Sequence, residues 1–247
     1  MNARHIAECA LSQEESLRAE WLGRSVIRVR IGAPKQMCPT ALERYGFLRH
    51  EPPSPPAVET RTSEDSFVAE GDGLILECNL ANSQLTIRRA GGEVLLEQTA
   101  VSRHSKGAVV QFHAAPDEDW IGFGDQTRER LLHRGHIADC HVRNVSSYIP
   151  VPFFMSTRHV GILVNTTHRV VFDMCKSDPE HFEWRDGSGA IDYYVMAGNS
   201  FKDLLDAYTW LTGRPKLPPE WSFGLWYICR TQANDYEVVN DASNFRR

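Results

Sequence analysis

Six aspartates stand where paired-carboxylate chemistry would be sought: Asp125, Asp139, Asp173, Asp186, Asp192 and Asp235. Two carboxylates facing one cleft act as acid and base, or acid and nucleophile, when their surroundings push their pKa values apart. The local sequence argues against such a pair. Asp186-Gly187-Ser188-Gly189 has hairpin-turn chemistry, and Asp125 follows Gly124 in a turn. Asp173 and Asp192 alternate with apolar neighbours, which predicts the solvated faces of strands. His133, His136, Cys140 and His141 are the densest set of potential metal ligands. They would share a face and hold zinc only on a helix. Gly135 and Val145-Ser146-Ser147 point instead to a loop, solvated or facing a substrate.

The elements that must carry these residues read as β-structure. In Ser25–Gly32, Ile27, Val29 and Ile31 alternate with Arg28 and Arg30, the mark of a half-buried strand. Short strands then recur at 66–70, 74–80, 84–89, 93–98 and 108–114, divided by Gly71-Asp72-Gly73, Asn82-Ser83, Gly91-Gly92 and Ser105-Lys106-Gly107. Further strands fall at 152–157, 161–165, 169–174, 181–185 and 190–196. Turn signals at this spacing predict an antiparallel sandwich. Residues 1–20 are weakly patterned and read as a loose segment, and 51–56 form a proline-rich surface link.

The period changes near the end. Ser200 caps a helix whose Phe201, Leu204, Leu205, Tyr208 and Leu211 share a face, and Gly213 and Pro215 stop it. Trp221–Cys229 is almost wholly apolar, which predicts a strand covered on both faces. Asn234 or Asp235 then caps a helix with Tyr236, Val239, Ala242 and Phe245 turned inward. A strand and helix of this kind open a parallel α/β domain. Only 27 residues follow Glu220, whereas a (β/α)8 barrel needs roughly 250. The expectation is a fragment or truncated product whose second domain is begun and not completed.

The chain has 247 residues, 42% of them apolar, enough for a full core. Its 27 Lys and Arg against 32 Asp and Glu leave a net charge of −5. Nucleic-acid and anionic-membrane binders need a concentrated basic surface, so both classes are set aside. No apolar run reaches membrane-spanning length, and the polar opening Met1–Glu8 is not a signal sequence. A cytoplasmic protein follows. Six scattered cysteines without a C-x-x-C pair read as reduced, mostly buried thiols.

Five stretches, in order, carry a family resemblance. Trp120–Thr127 resembles the "YGLGE-" segment of the family-31 glycoside hydrolases, the α-glucosidase and α-xylosidase group. Ile149–Ser156 is similar to their "IPFF-S" strand, Gly161–Asn165 to "GVFVN", and Asp192-Tyr193-Tyr194 to "LDYYF". The longest, Tyr208–Trp226, resembles "YT-LTGRP-LPP-WS-G-W". The resemblance covers roughly 20–247. It implies a mainly β chain, an antiparallel, galactose-mutarotase-like β-sandwich over 21–199. A linking helix and Pro-rich connector would follow over 200–219, and the first β–α unit of an incomplete (β/α)8 barrel over 220–247.

It also implies a retaining enzyme for α-linked glucose or xylose that needs no cofactor or metal. One aspartate would attack the anomeric carbon and another protonate the leaving oxygen, about 5–5.5 Å apart. In the family both lie beyond the position of Arg247, so no catalytic residue is expected in this chain. The segment Leu132–Tyr148 is expected to lend Arg143 and Asn144 to outer sugar subsites; the family carries an Arg-Asp pair there. Arg230 and Thr231, at the end of the first barrel strand, are the other substrate-binding candidates. Thr231 stands where the family often has an aromatic sugar platform, which is expected to be missing here or displaced onto Tyr227 or Tyr236. The expected partner is an α-linked oligosaccharide or glycoside, with no nucleic acid and no membrane, and a homo-oligomer left open. The alternatives are a stand-alone sugar-binding sandwich using Trp120 or Trp184, a mutarotase-like epimerase, and a degenerate truncated product.

Overall fold

The computed structural model describes residues 5–48, 54, 56–105, 107–125, 131–142, 149–224, 226 and 234–246. They fall into two units, Met1–Gly213 and Arg214–Arg247. The first unit holds sixteen strands among its described residues. In chain order these are β1 (Ile6–Ala10), β2 (Ser16–Gly23), β3 (Val26–Gly32), β4 (Glu59–Thr62), β5 (Ser66–Gly71), β6 (Leu74–Asn79), β7 (Leu85–Arg89) and β8 (Val94–His104). Then come β9 (Gly107–His113), β10 (Trp120–Gly124), β11 (His136–Cys140), β12 (Pro150–Ser156), β13 (Val160–Val164), β14 (Val170–Met174), β15 (His181–Asp186) and β16 (Ile191–Ala197). A one-turn helix α1 (Ala41–Arg44) follows β3, and α2 (Phe201–Thr212) follows β16.

The strands form two antiparallel sheets. One has seven strands in the order β1-β2-β3-β16-β13-β12-β10. The other has nine, in the order β11-β14-β15-β9-β8-β7-β6-β5-β4. Alternation along each strand sends every second side chain inward, and these meet in one shared core. Aromatic rings dominate it. Phe112 stacks on Phe182 and Trp184 at centroid distances of 5.0 and 4.7 Å and meets the edge of Tyr193 at 5.9 Å. The Tyr193 hydroxyl donates to Gln98 Oε1 at 2.9 Å, a buried hydrogen bond that links the two sheets. Burial pushes that phenol above its ordinary range.

The seven-stranded sheet has a second covered face. Leu204, Ala207 and Leu211 of α2 pack with Val26, Leu163, Tyr194 and Met196, and Tyr208 stacks on Phe153 at 4.1 Å. Ser200 caps α2 by accepting from the Asp203 amide, and Gly213 ends it at φ 99°. The cap and stop are those the sequence predicts.

Three expectations are corrected. The described part of 1–20 is not loose: β1 and most of β2 lie there, pairing in register from Ile6↔Glu20 to Ala10↔Ser16. Their inward residues include Ala7 and Ala19, too small to mark a strand by hydrophobicity. β3 is not half-buried, since all seven of its residues are covered. The third correction concerns the second unit. Trp221–Cys229 is read as a two-sided buried strand, but Glu220–Phe223 forms a 3-10 turn and Trp221, Phe223 and Trp226 are exposed. A strand needs neighbours for its amides and carbonyls. The described part of this unit offers none, so local bonds such as Gly224 N to Trp221 O at 3.2 Å take over. Helix α3 (Asp235–Asn244) forms where predicted, with an Asn234–Glu237 capping box. Tyr236, Val239, Ala242 and Phe245, expected to face inward, are not buried. No barrel is seen among the described residues.

No helix among the described residues is long and apolar enough to cross a membrane. Trp184→Ala, which empties the centre of the aromatic stack, is expected to lower the unfolding free energy by about 3–5 kcal/mol. Urea titration checks this, with the midpoint moving and the slope unchanged.

Candidate functional site

Two structures joined through one loop organise the polar side of the first unit. The first is a buried charge cluster on the outer face of the seven-stranded sheet. Arg28 on β3 and Asp192 on β16 are diagonal neighbours on one face, two residues apart in register, the direct partners being Asp192↔Arg30 and Tyr194↔Arg28. The Arg28 guanidinium donates to Asp192 Oδ1 and Oδ2 at 2.9 and 2.6 Å and to Glu43 Oε1 and Oε2 at 2.7 and 2.8 Å. All three side chains are nearly inaccessible. Glu43 arrives on α1, whose Thr40 forms a capping box with it. Asn165 completes the cluster, donating to Asp192 at 2.9 Å and accepting from Thr40 Oγ1 at 3.0 Å. Beside it, Arg30 pairs with Glu20 and donates to the Met37 carbonyl at 2.8 Å.

The charges are set by this geometry. Burial opposes the Arg28 charge, but Asp192 and Glu43 outweigh it and hold the guanidinium protonated. Burial also pushes Glu43 up, yet Arg28 and the Thr40 amide and hydroxyl bring its carboxyl down to about 2. Asp192 is pushed upward by burial against the pull of Arg28.

The second structure is a cleft of about 290 Å3 at the ends of β11 and β12 and the turn between β13 and β14. It is lined by Cys140, His141, Val142, Thr167, His168 and Arg169, among others. Asn165 begins that turn from inside the charge cluster. The next residue, Thr166, accepts from the His168 amide at 3.1 Å and donates to Asp186 at 3.3 Å. Arg169 is held by a two-point pair with Asp139 of β11, at 2.8 and 2.7 Å. The neighbouring strand end is bent by a bulge in β10 between Gly122 and Gly124. Gly124 has φ 73°, and a Cβ there would sit 2.1 Å from the Ile149 carbonyl, so no other residue fits. Val142, which lines this cleft, is followed in sequence by 143–148, which lie outside the described residues.

The arrangement offers imidazoles, hydroxyls and a fixed guanidinium, groups that bind polyols by hydrogen bonds. It offers little for nucleophilic chemistry. Asp139 is engaged by Arg169, Asp186 caps its own turn through the Ser188 amide at 2.7 Å, and Asp192 is locked on Arg28. Asp192 is therefore not on a solvated face, a further correction to what its alternation predicts. Asp173 does sit at the surface, accepting from Lys176 and Ser177. Burial pushes the Cys140 thiol up to about 12, away from reactivity.

His133, His136, Cys140 and His141 do not converge on a metal, and the stretch is not the expected loop. His136–Cys140 is the edge strand β11, paired with β14 from His136↔Met174 to Cys140↔Val170. His133 is buried against Phe123, ring centroids 4.7 Å apart. Among the described residues no group of three or more His, Cys, Asp or Glu side chains is placed to hold a metal. The substrate-binding candidates Arg143, Asn144, Arg230 and Thr231 lie outside the described residues, as does Tyr227. Sequence reasoning passes over His168 and Arg169, which occupy an ordinary polar turn with no spacing to mark them. It also misses the role of Arg28, whose period-2 position signals solvent.

The family profile described as the "Glycosyl hydrolase 31 N-terminal galactose mutarotase-like domain" matches residues 16–173. The chain belongs to this family. An α-xylosidase of Lactiplantibacillus pentosus is 38% identical over 115 residues, covering 44% of this chain and 15% of the relative. An α-glucosidase of Saccharolobus solfataricus is 32% identical over 156 residues, 59% of this chain and 20% of the relative. Among solved structures, a family-31 dextranase of Flavobacterium johnsoniae complexed with isomaltotriose superposes with a TM-score of 0.85 at 19% identity. That match covers 98% of this chain and 31% of the dextranase, and it shows a shared fold. The matches take in a fifth or less of each of these two curated relatives.

Arg28→Ala leaves two buried carboxylates uncompensated and is expected to cost about 3–5 kcal/mol of stability, read by urea unfolding. Glu43 gives the pH dependence its sign. Its pKa is lower folded than unfolded, so its contribution is complete above about 4.5 and is lost as pH falls toward about 2. Asp192, raised on folding, works the other way and loses stability as pH rises through its folded value. Glu43→Gln is therefore expected to flatten the acid limb of stability against pH between about 4.5 and 2.

Proposed function

We propose that this chain is the N-terminal part of a retaining α-glycoside hydrolase that removes terminal α-linked glucose or xylose. The observation that carries this is the family match over the sandwich. The curated relatives named α-xylosidase and α-glucosidase point to the sugars. In this reading the sandwich is scaffold. It holds the segment between β11 and β12 on a rigid base, and Arg143 and Asn144 on that segment meet the outer sugar rings of the substrate. The two catalytic carboxylates belong to a barrel outside this chain, and double displacement through a glycosyl-enzyme intermediate happens there. Arg230 and Thr231 stand at the entrance to that barrel. The five described cysteines are free, which supports a reducing cytoplasmic setting.

A stand-alone sugar-binding sandwich needs exposed aromatics. Trp120 and Trp184, the candidates in the sequence, are buried in the inter-sheet core.

The test is to assay the polypeptide encoded by the complete reading frame and the 247-residue chain, side by side, on aryl α-glucoside and aryl α-xyloside. The expected outcome is hydrolysis with retained anomeric configuration by the longer protein and none by the chain alone. Hydrolysis by the shorter chain, or none by any form, overturns the reading. In an active longer form, Arg143→Ala and Asn144→Ala are expected to raise KM for an oligosaccharide several-fold. Turnover of the aryl glycoside, which lacks the outer rings, should be unchanged.

A further inference from the structure

The outer face of the nine-stranded sheet carries two histidines that nothing in the proposed function uses. β9 and β15 pair residue against residue, with Phe112 opposite Phe182 and His113 opposite His181. Successive side chains of a strand point to opposite faces. The two phenylalanines are buried in the inter-sheet core, so the two histidines stand together on the other face. Their ring centroids are 6.0 Å apart, with the planes at 75°. His113 is exposed and His181 partly so. One of the two rings is already set for ligation. His181 Nδ1 lies 2.9 Å from Asp178 Oδ2, and Asp178 Oδ1 accepts from the Glu180 amide at 2.9 Å. That amide and the His181 ring hold the Asp178 carboxyl below its ordinary range, so it is ionised and accepts only. The proton of the Asp178–His181 bond is therefore on Nδ1, which leaves a lone pair on Nε2 of the neutral ring. A carboxylate behind an imidazole in this way fixes the tautomer and the ring orientation that a metal needs. Among the described residues the His113 ring has no hydrogen bond to hold it elsewhere.

We propose that His113 and His181 form a two-histidine site for a divalent transition cation such as Zn2+, with Asp178 as the positioning residue behind His181. Imidazole nitrogen suits zinc, copper and nickel, whereas magnesium and calcium take oxygen. A tetrahedral ion about 2.0–2.1 Å from a nitrogen of each ring sets the centroids roughly 5 Å apart. A side-chain rotation of the exposed His113 covers the difference from the 6.0 Å observed. Two protein donors leave the remaining positions to water, so the site is open and holds its ion less tightly than a closed four-donor centre. It is a pair, short of the groups of three or more donors that are absent among the described residues. The ion ties β9 to β15 on the side of the sheet away from the core, and through His181 it reaches the turn that carries Asp178.

The experiment titrates zinc chloride into the 247-residue chain by calorimetry. In parallel, histidines are modified with diethyl pyrocarbonate, with and without zinc, and mapped by tandem mass spectrometry. The expected result is one zinc ion per chain, with His113 and His181 protected from modification until EDTA is added. His113→Gln and His181→Gln should each weaken zinc binding at least about 10-fold, and Asp178→Asn roughly 10-fold with the metal-free Tm unchanged. His104→Gln, which removes an exposed histidine bonded to Ser102, should leave the affinity as it is. Absence of zinc binding overturns the proposal. So does protection confined to other histidines, or an affinity that survives His113→Gln. An affinity unchanged in Asp178→Asn overturns the part given to that carboxylate. The protection pattern is read on the unsubstituted chain, so it decides whatever a variant does to folding.

Discussion

The seven-stranded sheet is buried on both faces, and much of the first unit follows from that constraint. Its inner face shares the aromatic core with the nine-stranded sheet, and its outer face lies under α2 and the segment that carries α1. A strand that alternates apolar and charged residues can be covered twice only if its charges are paired where they stand. β3 brings Arg28 and Arg30 to the covered outer face, and the sheet answers with Asp192 and Glu20 from neighbouring strands. Glu43 reaches Arg28 from α1. An ion cluster of this kind adds little net stability over apolar packing, but breaking it is costly. Its structural effect is to tie α1 to the sheet through Glu43 and to hold Asn165 through Asp192 and Thr40.

Asn165 is the link from that constraint to the cleft. Its amide is held by Asp192 and Thr40, and the following turn supplies Thr167, His168 and Arg169 to the surface. Arg169 in turn grips Asp139 and so fixes β11, an edge strand with a sheet partner on one side alone. A loop that emerges between β11 and β12 therefore has both ends on rigid ground. That is the condition for a loop to position ligand-contacting groups. The Gly124 bulge adds to it by letting β10 pass close to the backbone at Ile149.

How much of this was legible in the sequence depends on how many neighbours an element has to answer to. Strands whose inner residues are large, such as Leu74 and Leu76 of β6 or Phe172 and Met174 of β14, declare themselves by alternation, and their ends match the predicted ones within a residue or two. Helix α2 declares itself through its cap, its apolar stripe and Gly213. What alternation does not carry is the other side of the sheet. Arg28 and Asp192 obey a pattern that looks solvated, and only the tertiary cover of 33–48 and α2 turns that face into an interior. Residues 136–140 fail for the opposite reason. Their inward positions include Ala138 and Cys140, and the large residue Ile137 faces out, so hydrophobicity points away from the true register. The apolar run from Trp221 has strand composition but no strand to pair with among the described residues of its own unit, and composition does not supply hydrogen bonds. The site was the least legible part, because His168 and Arg169 become neighbours of Asp139 and His141 only through the β11–β14 pairing.

The fate of the carboxylates bears on the division of labour. Retaining glycosidase chemistry needs one ionised carboxylate aimed at an anomeric carbon and one protonated carboxyl near the leaving oxygen, both open to substrate. In this sandwich the two carboxylates that share a site, Glu43 and Asp192, face a common guanidinium instead of a cleft. Freeing either for catalysis would leave Arg28 and the other carboxylate buried without full pairing, and the sheet would lose the arrangement that holds Asn165. Structural and catalytic use of those groups are mutually exclusive. A domain that commits these two buried acids to holding a sheet together does not have them free for acid–base or nucleophilic work.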